Sequence, residues 1–271
     1  MSLPSVVIPF VKASACGNDF LLIDSLSVEG ALAPANMAAL TRRLCDRHQG
    51  VGADGVEWMY SHAAADVEIR LINADGSPAE ISGNGTRCVA AYICAERRKE
   101  KLTIQTGAGL KTCVLMGRSE SEYEFEVEMG EAAVGAELAV KLGASEVRGI
   151  PVSMGSPHCV VFVPKFSENW RDEAAKLQRN SEFKWGVNVE LVVIDGKHDV
   201  EARFFERGVG ETQSSGTGSC ASAVAAMAMG KAESPVRVHA PGGTQTVRQE
   251  KNLVFLRGTA RLVCRGEFFL S

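Results

Sequence analysis

Residues 69–95 read IRLINADGSPAEISGNGTRCVAAYICA, and residues 202–228 read ARFFERGVGETQSSGTGSCASAVAAMA. Sliding the chain on itself by 133 residues lays the first on the second without a gap, and Arg70 falls on Arg203, Ser82 on Ser215, Gly83 on Gly216, Gly85 on Gly218, Ala90 on Ala223 and Ala95 on Ala228. Both segments run in one order: a short apolar strand, a polar loop, S-G-x-G, then a run of small apolar residues. The pattern predicts strands over 67–72 and 202–205 and helices over 86–95 and 219–229. A helix that is apolar on nearly all faces belongs inside a core. The chain therefore reads as two similar halves, 1–125 and 126–271, each a sheet wrapped around one central helix. The last strand is free to return to the first half.

Outward from the repeat, strand signals dominate: 20–24, 102–105, 112–116, 122–129, 159–163, 189–194, 236–239, 252–258 and 260–263. Helical periodicity is confined to 35–47 and 169–177. Many short strands with few helices point to an α+β fold with mostly antiparallel sheet. A 271-residue chain with 45% hydrophobic and 23% charged residues is globular in composition, and 6% aromatics with 27 glycines predict an aliphatic core with many tight turns. A net charge of −4 argues against a nucleic-acid partner and shows no polybasic membrane patch. No apolar run reaches the roughly 18–20 residues that span a bilayer. No basic stretch precedes the apolar residues near the N-terminus, so no signal peptide is expected. The eight cysteines form no C-x-x-C and no zinc spacing, which predicts reduced thiols, a cytoplasmic location and no metal.

Ser82 and Ser215 stand where the central helices begin. The plain reading is an N-cap, with glycine easing the turn. The pair suggests more. A helix N-terminus offers unpaired N–H groups and a partial positive charge, both suited to a carboxylate. Two such starts, one per half, would hold an amino acid with one side chain on each face of its α-carbon. That is the arrangement of a two-base racemase or epimerase without a cofactor. Polar residues collect in the neighbouring loops: Asn18, Asn73, Asn84, His158, Asn188, Glu206, Arg207 and Thr217. Each also has a structural use in turns or as a surface pair.

The chain resembles diaminopimelate epimerases. The resemblance rests on GNDFLLID at 17–24, DRHQGVGADG at 46–55, NADGSPAE at 73–80, SGNGTRC at 82–88, MGSPHCV at 154–160, VNV at 187–189 and ERGVGETQSSGTGSCAS at 206–222, in family order over nearly the whole length. It implies a pyridoxal-independent isomerase that interconverts LL- and meso-diaminopimelate in lysine biosynthesis, with no cofactor and a small-molecule amino-acid partner. A homodimer is an expectation from the family alone. By position, Asn18, Asn73, Asn188, Glu206 and Arg207 match the substrate-binding set, with Arg207 meeting the distal carboxylate. Gly83, Asn84, Gly216 and Thr217 would cradle the α-carboxylate, and His158 and Glu206 would lie beside the reacting carbon.

The chain departs from the family at its two catalytic positions. These are cysteines in the family and are Ser82 and Ser215 here. Ser156 also replaces the usual Asn. Each pKa unit by which a base lies above the working pH costs about 1.4 kcal/mol, and an alkanol lies about five or more units above a thiol. Cys88 and Cys220 lie too far along their helices to take over and are expected to be buried. Four accounts follow: an epimerase using the two serines, an epimerase disabled at both, a relative that binds an amino acid or performs a one-sided isomerisation or dehydration, and a pure interaction module.

Overall fold

The computed structural model describes residues 6–28, 36–143 and 145–270. The chain forms two compact units, Met1–Val127 with Thr259–Ser271, and Glu128–Gly258.

In the first unit the order is β1 (Val6–Ala15), β2 (Asn18–Asp24), α1 (Met37–Cys45), β3 (Gly55–Tyr60), β4 (Val67–Asn73), β5 (Pro78–Ala79), α2 (Gly83–Arg97), β6 (Lys101–Thr106), β7 (Gly109–Ser119) and the start of β8 (Glu122–Glu131). Strand β2 runs parallel to β3, β3 antiparallel to β4, β4 parallel to β6, and β6 antiparallel to β7. A two-residue turn joins β1 to β2, and Cys16 (φ 48°) and Gly17 (φ 84°) both adopt positive φ. Such a turn matches strand twist, and it sets Asn18 as the first residue of β2.

The second unit repeats that order. It contains β9 (Ala133–Val134), β10 (Leu138–Leu142), β11 (Ser145–Ser153), β12 (Pro157–Phe162), α3 (Trp170–Gln178), β13 (Asn188–Ile194), β14 (Asp199–Glu206), β15 (Gly210–Thr212), α4 (Gly216–Ala228), β16 (Val236–Ala240), β17 (Gly243–Glu250) and the start of β18 (Leu253–Leu270). Strands β12 and β13 are parallel, β13 and β14 antiparallel, β14 and β16 parallel, and β16 and β17 antiparallel. The fold is α+β with two similar halves.

The central helices are α2 and α4. Every residue from Gly218 to Ala226 is buried, as is every residue from Asn84 to Ala91. Alanine, glycine, serine and cysteine dominate α4, so strands can approach its backbone on all sides. Its apolar surroundings include Val160, Val192, Val200, Phe204, Val238 and Leu256. Each large aliphatic buried in this way contributes about 1.5–3 kcal/mol.

The central helices begin directly after Ser82 and Ser215, as the cap reading expects, and their first turns take in the glycines of S-G-x-G ahead of the apolar stretches 86–95 and 219–229. First-turn N–H groups need no intrahelical partner, so glycine is tolerated there. The expected helix 35–47 is Met37–Cys45, and residue 35 lies outside the described residues. The strands expected at 252–258 and 260–263 are one strand, which pairs with β17 over Leu253–Arg257 and with β1 from Arg261 onward.

Candidate active site

In the first unit, Ser82 is the N-cap of α2. Its Oγ accepts from the Gly85 N–H at 3.0 Å, and its carbonyl accepts from the N–H and hydroxyl of Thr86, each at 2.8 Å. The neighbouring amides form a chain. Asn18 Nδ2 donates to Asp54 Oδ2 at 3.1 Å, Asn84 Nδ2 donates to Asn18 Oδ1 at 2.7 Å, and Arg87 Nη2 donates to Asn84 Oδ1. Arg87 is fully buried and also holds the Gly83 carbonyl. Asn84 is buried and its amide is engaged on both sides, so it braces the turn. Asn73 ends β4, and its amide donates to Ser77 Oγ at 3.0 Å.

In the second unit, Ser215 is the N-cap of α4, and its Oγ accepts from the Gly218 N–H at 3.1 Å. Its hydroxyl acts on the Glu206 carboxyl and holds that group's pKa down. His158 Nδ1 lies 2.7 Å from Glu190 Oε1, and its Nε2 lies 2.9 Å from Ser156 Oγ. Asn188 Oδ1 accepts from the Arg207 N–H at 2.8 Å, and Arg207 Nη1 donates to the Trp185 carbonyl at 3.1 Å. The parallel register of β12 and β13 puts His158 beside Asn188. Ser156, His158, Asn188, Glu206, Arg207 and Ser215 therefore form one connected group, and Gly216 and Thr217 open the helix above it.

Burial pushes the Glu206 carboxyl up and Glu190 adds to this, while the Ser215 hydroxyl and His158 oppose it, and the net shift is upward. Burial disfavours charge on His158, but the bonded Glu190 and the nearby Glu206 outweigh it and raise the imidazole pKa. A carboxyl and an imidazole whose pKa values are both raised, together with a serine, suit proton transfer. Cys88 and Cys220 are fully buried, and burial pushes the Cys88 thiol up. Among the described residues, no group of His, Cys, Asp or Glu is placed to hold a metal ion.

Sequence reasoning missed Glu57, Arg87 and Glu190, all buried. The signal was available, since the same shift of 133 that aligns the serines lays Glu57 on Glu190. The two carboxyls also explain two glycines. A Cβ on Gly85 would come 2.0 Å from Glu57 Oε1, and one on Gly218 would come 3.0 Å from Glu190 Oε1. Ala normally stabilises a helix over Gly by about 1 kcal/mol. Here the sign reverses: Gly85→Ala is expected to lower stability by roughly 1–3 kcal/mol, as overpacking does, and by more than Gly218→Ala. Denaturant melts of both variants check this, and a stabilised Gly85→Ala would contradict the packing.

The architecture is that of the racemase and isomerase fold. It superposes on a phenazine biosynthesis protein of the PhzF family from Bacillus anthracis with a TM-score of 0.74 at 17% identity, covering 97% of this chain and 99% of that one. A hydroxyproline epimerase from Agrobacterium vitis gives a TM-score of 0.74 at 14% identity, covering 99% and 94%. Those likenesses establish the fold alone. The Diaminopimelate epimerase family profile matches residues 10–134 and 150–263. The diaminopimelate epimerase of Caldanaerobacter subterraneus subsp. tengcongensis is 34% identical over 95% of this chain and 98% of its own length, and that of Elusimicrobium minutum is 36% identical over 96% and 98%. The chain belongs to the diaminopimelate epimerase family, which places it among isomerases.

Proposed function

We propose that the chain epimerises the α-carbon of diaminopimelate between the LL and meso forms, without a cofactor, with Ser82 and Ser215 transferring the proton. The observation that carries this reading is the Ser215 N-cap of α4, whose hydroxyl acts on the buried Glu206 carboxyl in a cluster that also holds the bonded His158–Glu190 pair. A serine hydroxyl is a poor base alone. A carboxylate that accepts its proton makes the oxygen able to take one from carbon. A helix N-terminus such as that of α2 or α4 carries a partial positive charge suited to a carboxylate. Arg207 is exposed, and its guanidinium is suited to a bidentate contact with the distal carboxylate.

One observation favours a second reading. Under the 133-residue shift, Glu206 falls on Asn73, and the register that pairs His158 with Asn188 pairs Phe20 with Gly55. At these two positions the second unit therefore carries Glu206 and His158 where the first carries Asn73 and Phe20. That asymmetry suits a one-sided isomerase, which removes the α-proton and returns it elsewhere.

Exchange of the α-hydrogen in D₂O, followed by NMR with LL- and meso-diaminopimelate, separates the readings. Deuterium incorporation with inversion supports epimerisation, and incorporation without inversion supports the one-sided reading. The absence of exchange together with no thermal shift at millimolar ligand would refute both.

A further inference from the structure

Strand β3 reads GVEWMY, and Glu57 lies in it between Val56 and Trp58, all three fully buried. Neither Glu57 oxygen has a hydrogen-bond partner. The carboxyl points into the first turn of α2. The position that a Cβ on Gly85 would occupy lies 2.0 Å from Glu57 Oε1 and 3.3 Å from Ser82 Cβ, so carboxyl and serine flank one point. The counterpart Glu190 carries His158 on its Oε1, but the residue at the histidine's register position in the first unit is Phe20. The first unit thus has the carboxyl with a phenylalanine where the second has the imidazole. The Cys88 thiol on α2 feels Glu57 together with Arg87 on α2, Cys16 in the β1–β2 turn and Asp19 at the start of β2. A buried carboxyl without a partner is costly, and such groups are characteristic of sites that hold or move protons.

We propose that Glu57 is a positioning residue for Ser82, accepting the hydroxyl proton when the serine oxygen removes the substrate's α-proton and returning it when, in the reverse direction, the serine protonates the carbon on that same face. The inference rests on the epimerase reading above. The step balances. The Cα–H bond breaks, its proton bonds to Ser82 Oγ, and the former Ser82 proton passes to the Glu57 carboxylate. The electron pair stays on the substrate carbon. Protonation runs the same path backwards, from a neutral Glu57 through Ser82 to carbon. Burial pushes the carboxyl up to about 8, so both forms are accessible near neutral pH, and removal at the Ser82 face speeds up as pH rises through that value.

The test is α-deuterium exchange from pH 6 to 9 with the natural chain, Glu57→Gln, Ser82→Cys and the two combined. Glu57→Gln is expected to slow kcat for exchange about 100-fold with KM unchanged, the scale of one general acid–base contribution, and to remove the limb near pH 8. In the Ser82→Cys background, where a thiol needs no helper, the same change is expected to cost less than about threefold. An equal loss in both backgrounds would show a structural role and overturn the proposal. Silence from the natural chain and from Ser82→Cys would mean the epimerase reading itself had failed. A ¹³C-carboxyl titration of Glu57 then decides on folded protein without turnover. It must shift on Ser82→Ala if the two groups share a proton, and an unmoved titration overturns the inference.

Discussion

Replacing both Ser82 and Ser215 with cysteine is expected to raise α-hydrogen exchange on diaminopimelate by about 10³–10⁵-fold, since five pKa units correspond to roughly 7 kcal/mol of barrier. The lower figure allows for the greater basicity of an alkoxide once formed. Both positions are prepared for a thiolate. Each is the N-cap of a central helix with a backbone N–H aimed at its side chain, and that environment lowers a thiol pKa. Cysteine is also nearly the size of serine, so the caps at Gly85 and Gly218 have room to persist. Exchange assays on the double variant read the result directly. A double-cysteine chain no faster than the natural one would mean that these positions do not transfer the proton, and the assignment of Ser82 and Ser215 would fall.

The central helices were legible in the sequence because their signal is local and doubled: S-G-x-G followed by small residues, twice, in one register. Ser82 and Ser215 were legible as caps, but the need for glycine in the first turns was not: a Cβ would meet Glu57 at Gly85, and Phe204 and Glu190 at Gly218. Strand β3 went unread because it is buried on both faces and so shows no alternation, with Glu57 itself in the core. Strand β1 carries Pro9 and Lys12, which break its alternation. Asn84 was read as part of a carboxylate cradle. Only the fold shows that Asn18 and Arg87 occupy its amide, because those partners lie 66 residues before it and one turn after it. The pairings of His158 with Glu190 and of Ser215 with Glu206 likewise depend on strand register, which no motif encodes.

Glu57 also makes a prediction about stability that needs no substrate. Its carboxyl titrates at the ordinary 4.5 when exposed in the unfolded chain and is pushed up to about 8 by burial in the fold. A raised folded pKa favours the folded state below 4.5, and that advantage is lost as pH climbs toward 8, because the unfolded chain ionises first. Relative to Glu57→Gln, which cannot ionise, the natural chain should lose about 1.4 kcal/mol of stability per pH unit across this window, or roughly 3 kcal/mol by pH 7. Above pH 8 the difference should level off. Urea melts of both proteins at pH 5, 7 and 9 measure it. Parallel curves would show that Glu57 ionises as easily in the fold as in water, and its contact with the α2 turn would then need another explanation. The expected divergence would make Glu57→Gln more stable and slower at once. A costly buried acid is retained in the fold, and a loss of turnover on its removal would tie that cost to proton transfer at Ser82.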